Sequence, residues 1–250
     1  MARIIAIANH KGGVAKTTSC VNIAAALAKM GRRVLLVDVD PQANLTSSFT
    51  DESKIEASIY DAMKGAATPI MNIGDNLDLI PSHIDLAGAD MVFSNKIARE
   101  QILRNILDEI KGNYDYIIID TPPALGLVTI NALTAAHSVI ISICAETLPL
   151  RGLVMLDEMI GDIARSINRG LHVSGIIIAK YNRRKLDNAV IDAIREKYGD
   201  KIFKTYVRTC VAAAEAPTYR QSVLDYAPDS NAAADYMALA REIDNQTIKK

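Results

Sequence analysis

Apolar residues along this chain fall in short continuous runs, which are separated by longer stretches of helical periodicity. The runs are apolar at every position rather than at every second one, a pattern typical of strands buried on both faces of a parallel sheet. Five such strands are predicted, at residues 4–8, 34–37, 116–119, 139–143 and 173–179. A shorter strand is expected around Leu79, Ile80 and Pro81.

The stretches between these strands repeat apolar residues at the spacing of an α-helix. Helices are predicted at residues 17–30, 96–110, 127–136, 153–167, 188–197 and 232–243. The alternation of strands and helices predicts right-handed βαβ units, and therefore an α/β fold with a doubly wound, mostly parallel sheet flanked by helices. Residues 42–75 are polar and small, and they are expected to be the least regular part of the N-terminal half.

Length and composition favour one domain over residues 1–250. Of the 250 residues, 50% are hydrophobic and 23% are charged, and the chain contains neither a Gly/Ser-rich linker nor an internal repeat. A single α/β domain accommodates this length, and no N-terminal helix-turn-helix domain is expected. Because no apolar run approaches the roughly 18 residues that span a bilayer, and the first run is too short for a signal peptide, a cytoplasmic protein is expected.

The first strand leads into a glycine turn with the character of a phosphate-binding loop. Residues 9–18 have the sequence NHKGGVAKTT, and a predicted helix follows at once. Glycines let backbone N–H groups approach phosphate, and a helix N-terminus adds further donors. Lys16 is placed to reach the β- and γ-phosphates, and the Thr17 hydroxyl to hold Mg²⁺. The alternative is a surface turn, which the buried strand before it and the pair Thr17 and Thr18 after it argue against.

Acidic residues follow two other predicted strands. Asp38 and Asp40 follow the second strand in the sequence DVDPQ, and Asp120 ends the third in YIIIDTPP. In an open α/β sheet, ligands bind beyond the carboxyl ends of the strands, so these acids are expected to face the phosphate loop. Asp120 has the position of a carboxylate that binds Mg²⁺ directly or through water. A plain Asp-Pro turn is the alternative for Asp40, and it carries less weight beside a phosphate loop.

These motifs resemble those of the ParA/MinD family of ATPases with a deviant Walker A loop, and in particular the short, Soj-like ParA partition proteins. The resemblance extends over nearly the whole chain, including residues 79–88 and 215–217. It implies a P-loop NTPase fold, the cofactors ATP and Mg²⁺, and hydrolysis of ATP to ADP and phosphate. It also implies Mg²⁺ contacts from Thr17, Asp40 and Asp120. The loop residues implied to bind nucleotide are Lys11, Gly12, Gly13, Val14, Ala15, Lys16, Thr17 and Thr18.

The resemblance assigns catalytic roles to Lys11, Lys16 and Asp40. Lys11 is implied to cross a dimer interface to the nucleotide of the partner subunit, and Asp40 to orient or activate the attacking water. The chain departs from the family pattern at Ala15, where glycine is usual. Alanine is expected to be tolerated there, on the condition that the residue already has helical backbone angles at the start of the helix.

A local excess of positive charge bears on DNA binding. The formal net charge of the chain is −1, whereas residues 180–208 hold nine lysines and arginines and four acids, a net of +5. An ion-paired helical surface explains this count equally well, and the resemblance favours non-specific, salt-sensitive DNA binding. Arg183 and Arg184 are the implied DNA contacts. Arg208 and Cys210 align with adenine-binding residues of the family, and Arg208 is also a candidate to replace a missing DNA-contacting arginine.

The resemblance therefore leads to the hypothesis of a cytoplasmic, nucleoid-associated partition ATPase. Such a protein forms a homodimer when it binds ATP, binds DNA non-specifically, and hydrolyses ATP when a ParB-like centromere-binding protein stimulates it. Binding to a membrane is not expected. The cargo would be plasmid or chromosomal DNA.

Three alternatives stay open. A MinD-like membrane switch needs an amphipathic C-terminal helix, whereas residues 244–250 contain a single apolar residue. A metal-cluster carrier needs cluster cysteines, and Cys20, Cys144 and Cys210 stand far apart. A non-hydrolysing nucleotide sensor would follow if Ala15 impairs turnover.

Overall fold

The computed structural model describes residues 2–145 and 150–246, together with their side chains except those of residues 150 and 151. Within this part of the chain, seven strands form one sheet in the order β3-β4-β2-β5-β1-β6-β7. The strands are β1 (Arg3–Ala8), β2 (Val34–Asp38), β3 (Met71–Gly74), β4 (Leu77–Ile80), β5 (Tyr116–Asp120), β6 (Ser138–Cys144) and β7 (His172–Ala179). All neighbouring pairs are parallel except β3 and β4. The mostly parallel α/β fold is confirmed.

Helices cover both faces of the sheet. Those described are α1 (Lys16–Lys29), α2 (Asn44–Ser47), α3 (Ile59–Lys64), α4 (Ala89–Val92), α5 (Ile102–Ile110), α6 (Leu127–Ala135), α7 (Leu150–Ser166), α8 (Lys185–Tyr198), α9 (Val211–Glu215), α10 (Val223–Tyr226) and α11 (Asn231–Asn245). None of the described helices has the length and apolar character needed to cross a membrane.

The two faces of strand β1 explain why its residues 4–8 are all apolar. In β1 every residue is buried. Ile4, Ala6 and Ala8 join one apolar cluster with residues of α3, α5, α6, α7 and α8. Ile5 and Ile7 point to the opposite face and join a second cluster, which is built with α1, α10 and α11. A strand covered on both sides needs apolar residues at every position.

The region from residue 42 to residue 75 is more regular than predicted. It contains the short elements α2, α3 and β3, which the apolar pattern did not predict, and most of its other residues lie outside helices and strands. Helix α3 begins with a capping interaction, in which both the backbone N–H and the hydroxyl of Ser58 donate hydrogen bonds to the Asp61 carboxylate. Strand β3 lies at the sheet edge and alternates between half-buried and exposed residues, so it forms no apolar run.

The predicted helix at 96–110 is shorter than expected. Its α-helical part begins at Ile102, after a 3₁₀ turn over Arg99–Gln101. Ala98 has φ 54°, in the left-handed region, which an α-helix cannot include. The backbone therefore breaks the helix where the apolar pattern alone would continue it.

Strand register places the acidic residues predicted for the site. Asp120 pairs with Ile7 of β1 on one side and with Asp38 of β2 on the other. All three strands end at the same edge of the sheet because they are parallel. The glycine turn after β1 therefore opens beside both carboxylates.

Candidate nucleotide-binding site

The phosphate loop connects β1 to α1 through two residues with left-handed backbone. Gly13 has φ 75°, which glycine adopts without steric cost. Ala15 has φ 62° and ψ 30° and directly precedes the first residue of α1. The condition under which alanine was expected to be tolerated here, right-handed helical angles, is not met, because the chain turns at Ala15 before the right-handed helix begins.

Buried polar side chains hold this loop against β6. Asn9 donates its side-chain N–H to the carbonyl of Ser142 at 2.7 Å and accepts from the Lys11 backbone N–H at 3.0 Å. The Ser142 hydroxyl donates to the carbonyl of Val14 at 2.6 Å. Asn9 and Ser142 are 2% and 0% exposed, so these bonds do not compete with solvent.

Two acidic side chains are buried next to each other beneath the loop. Asp38 and Asp120 are both 0% exposed and face each other across β2 and β5. Burial raises the pKa of Asp120 to about 8, and the nearby charge of Asp38 acts in the same direction. Burial also raises the pKa of Asp38 to about 6, against hydrogen bonds from Thr46 and Asp40 that favour its charged form. A cation bound here would favour the charged carboxylates and so lower both pKa values.

The oxygen atoms of Asp120 and Thr17 are suitable ligands for a magnesium ion. One carboxylate oxygen, Oδ2, accepts the Thr17 hydroxyl at 2.6 Å. The other, Oδ1, is buried without a hydrogen-bond partner in the described structure. Mg²⁺ prefers such oxygen ligands, and it is usually bound by one or two protein groups together with phosphate oxygens and water. Thr17 and Asp120 therefore fit this ion.

Lys16 and Asp40 complete the charged interior of the site. Lys16 is 7% exposed, and its ammonium group donates to the Lys11 carbonyl at 3.2 Å. Burial lowers its pKa, while Asp120 and Asp40 oppose that shift. Asp40 is 8% exposed and accepts the backbone N–H of Gln42 at 3.0 Å. The ammonium group of Lys16 and the carboxylate of Asp40 therefore lie at the same cavity.

A cavity of about 480 Å³ opens in front of these groups. Seven of the predicted site residues line it: Gly12, Gly13, Ala15, Lys16, Thr17, Thr18 and Asp40. Three lie beside it without lining it. Val14 is buried, Asp120 accepts the hydroxyl of Thr17, and Lys11 is exposed.

The predicted adenine contacts lie outside this cavity. Neither Arg208 nor Cys210 lines it, whereas Ala213, Ala216 and Pro217, which follow them in the chain, do. The Arg208 guanidinium instead forms an ion pair with Asp235 at 2.7 Å. The structure thus gives Arg208 a partner within the protein.

The predicted DNA contacts stand at the start of α8. Arg183 and Arg184 are exposed. The buried carboxylate of Asp187 accepts the backbone N–H groups of Asn182 and Arg184, which fixes the turn that presents both arginines. Among the nine cations of residues 180–208, the described ion pairs involve Arg195, Lys197 and Arg208.

Sequence patterns did not indicate several residues of the site. Asn9 and Ser142 carry no motif of their own, and Lys180 entered only as one cation among nine. Lys180 lines the cavity and donates to the Gly13 carbonyl at 2.9 Å. An Asn directly after a buried strand and before a glycine turn was the one available signal, since Asn commonly closes such turns.

Comparisons with known proteins agree with this geometry. A family model described as "AAA domain" matches residues 2–173. The chain is 42% identical to the sporulation initiation inhibitor protein Soj of Bacillus subtilis, over 97% of this chain and 98% of Soj. It is 36% identical to the chromosome partitioning protein ParA of Caulobacter vibrioides, over 96% of this chain and 93% of that protein.

A solved structure shows the same fold with a ligand. Cobyrinic acid a,c-diamide synthase from Mycobacterium smegmatis, with a bound ATP analogue and magnesium, superposes with a TM-score of 0.86 at 33% identity. The match covers 97% of this chain and 94% of that one. Together with the Soj and ParA relatives, this match shows that the chain belongs to the Soj-like members of the ParA/MinD family of P-loop ATPases.

Proposed function

We propose that this protein is a ParA-like partition ATPase. It binds ATP and Mg²⁺, dimerises on ATP, holds DNA non-specifically, and hydrolyses ATP when a ParB-like partner stimulates it. The observation that carries the proposal is the convergence of Lys16, Thr17 and Asp40 on one cavity, with Asp120 directly behind Thr17. The ParA relative, a chromosome partitioning protein, supports the partition role, and a cytoplasmic, nucleoid-associated location is part of the proposal.

Each residue has a distinct role in the proposed reaction. The loop N–H groups and Lys16 hold the phosphates and neutralise the charge that builds up during transfer. Thr17 and Asp120 hold Mg²⁺, which supplies further charge neutralisation when it is bound. Asp40 lines the cavity and orients the attacking water. Phosphoryl transfer needs positioning and charge more than covalent chemistry, and these groups supply both.

Lys11 is proposed to act on the partner subunit. Lys11 is exposed, and it does not line the cavity of its own chain. In an ATP dimer it would meet the γ-phosphate of the opposite nucleotide. Because ADP offers that lysine less negative charge, hydrolysis is expected to loosen the dimer.

The proposed DNA face is the basic segment of residues 180–208. Arg183 and Arg184 are exposed at its start, whereas ion pairs to Asp192, Asp157 and Asp235 engage three other cations. Because the whole chain has a formal net charge of only −1, DNA binding by a monomer is expected to be weak. Dimerisation doubles the face and raises the avidity for DNA.

The test combines oligomeric state, DNA retention and phosphate release. Wild-type protein is measured by light scattering and by DNA retention at low salt, with Mg-ADP and with Mg-ATP, and phosphate release is followed with and without DNA and a ParB-like protein. Lys11→Ala is expected to bind nucleotide and stay monomeric. Asp40→Ala is expected to dimerise without releasing phosphate. Wild type that neither dimerises nor retains DNA on Mg-ATP contradicts the proposal.

Two further outcomes identify the alternatives. Phosphate release by the wild type no faster than by Asp40→Ala would indicate a nucleotide sensor without turnover. ATP-dependent sedimentation with liposomes would instead support a MinD-like membrane switch. The C-terminal residues 247–250, on which the membrane alternative partly depends, lie outside the described residues.

A further inference from the structure

Lys180 reaches the phosphate loop from a distant strand. It directly follows β7, which is separated from β1 by β6. Its ammonium group donates to the carbonyl oxygen of Gly13 at 2.9 Å, and its side chain lines the nucleotide cavity. Lys180 is thus a second lysine at this cavity, besides Lys16.

The backbone of Lys180 adopts a conformation that lysine rarely takes. Its φ is 53°, in the left-handed region that favours glycine and asparagine. Neighbouring bonds hold it there: the Asn182 side chain donates to the Lys180 carbonyl at 3.2 Å, and the Tyr181 N–H donates to Val207 at 3.0 Å. A strained backbone that its surroundings hold in place is most often found at functional sites.

The bond to Gly13 affects the donors that a phosphate needs. In a planar peptide the C=O and the following N–H point in opposite directions. Lys180 fixes the Gly13 carbonyl, and Ser142 fixes the carbonyl of Val14. Together they set the directions of the two following N–H groups, those of Val14 and Ala15, which belong to the phosphate loop.

The positive charge of Lys180 favours phosphate binding, as does its hydrogen bond to Gly13. An ammonium group has three donors, and Gly13 takes one of them. Among the charged residues that line the cavity, Lys16 and Lys180 are positive and Asp40 is negative. A polyphosphate in this cavity therefore gains from Lys180 even where it makes no direct contact.

We propose that Lys180 is a positioning residue of the nucleotide site. It fixes the peptide after Gly13 and adds a positive charge at the cavity, and both effects raise the affinity for nucleotide. The inference rests on nucleotide binding in this cavity, which is part of the proposed function. It is independent of DNA binding and of dimerisation.

The test measures the Kd of Mg-ADP and of a non-hydrolysable ATP analogue by calorimetry. Lys180→Asn removes the charge and keeps a residue that tolerates left-handed backbone. It is expected to raise both Kd values about five- to tenfold, the size of one partly solvated charge-assisted hydrogen bond. Lys180→Arg is expected to restore most of the affinity, since it keeps the charge. The ratio between variant and wild type should shrink as salt rises, because salt screens an exposed charge.

Two controls separate this role from a purely structural one. Without nucleotide, Lys180→Asn should unfold at the wild-type temperature or above it, because asparagine relieves the backbone. The exposed Lys54 lies outside the cavity, and Lys54→Asn should leave both Kd values unchanged. Equal Kd values for wild type and Lys180→Asn overturn the assignment, as does a loss of affinity matched by Lys54→Asn. A wild type that binds no nucleotide overturns the proposed function as well. Nucleotide binding by the wild type therefore distinguishes a failure of the Lys180 proposal alone from a failure of both.

Discussion

Replacing Ala15 by glycine tests whether the phosphate loop stores backbone strain. Ala15 has φ 62° and ψ 30°, where the Cβ atom of an L-residue approaches the following carbonyl oxygen. Glycine removes that contact without changing the loop. Ala15→Gly is therefore expected to stabilise the protein, although glycine usually destabilises a helix interior when it replaces alanine.

The expected gain is the balance of three effects. Left-handed backbone costs an L-residue roughly 1–2 kcal/mol, which glycine recovers. The greater freedom of glycine in the unfolded chain takes back about 0.4–1 kcal/mol. The methyl group is half-buried against the cluster that contains α1, and its loss costs about 0.4 kcal/mol, half the value of a buried methylene. The net gain is about 0.5 kcal/mol, or roughly 1–2 °C in Tm for a domain of this size.

Thermal unfolding without nucleotide, followed by circular dichroism, measures this gain against two matched variants. Ala98 also has left-handed backbone, with φ 54°, and is exposed, so Ala98→Gly should raise the Tm at least as much. Ala189 is exposed within α8, so Ala189→Gly should lower the stability by about 1 kcal/mol. If Ala15→Gly lowers the Tm as Ala189→Gly does, the strain argument for Ala15 is refuted.

Three further predictions concern the stability of the fold and are measured by urea unfolding. Ser142→Ala leaves the Val14 carbonyl buried without its donor, and should cost about 1–2 kcal/mol and weaken nucleotide binding. Gly175→Ala places a Cβ 2.3 Å from the Phe203 ring, and should cost about 1–3 kcal/mol. Hydrogen bonding to Arg32 lowers the pKa of Asp244, so this carboxylate stabilises the fold above its unfolded pKa of about 4, and the effect is lost as pH falls through its folded pKa. Asp244→Asn should therefore lower the urea midpoint near neutral pH and approach the wild type in acid.

Each of these predictions has a control or an opposing outcome. Ser174→Ala removes a weak contact of 3.4 Å beside the same strand and should change little. Gly170→Ala meets its nearest atom at 3.9 Å and should be almost neutral. A difference between Asp244→Asn and wild type that stays constant with pH would show that the charge of Asp244 is not its source.

Much of the fold follows from local pattern. The strands of the parallel sheet are covered on both faces, so their apolar runs stand out in the sequence, as in β1. Strand β3 was missed because it lies at the edge and alternates. The early end of the predicted helix at 96–110 was missed because Ala98 is left-handed, and alanine gives no sign of that conformation.

Some residues of the candidate site could likewise be predicted from the sequence, and others could not. Lys16, Thr17 and Asp40 lie within contiguous motifs, and their chemistry and spacing indicated the cavity that they line. Arg208 and Cys210 were placed by resemblance alone, and the wall of the cavity consists of other residues. A local motif carries its own geometry, whereas an isolated residue takes its position from the rest of the fold.

The sequence by itself determined most of the alternation of strands and helices along the chain, the phosphate loop and the acids expected to face it, because these depend on residues close together in the chain. Only the tertiary structure decided that Ser142 anchors the loop and that Lys180 reaches Gly13, across sequence separations of 128 and 167 residues. It also set Asp38 opposite Asp120. The physical reason is that such contacts depend on strand order and register, and these are set by packing the whole sheet rather than by any short segment.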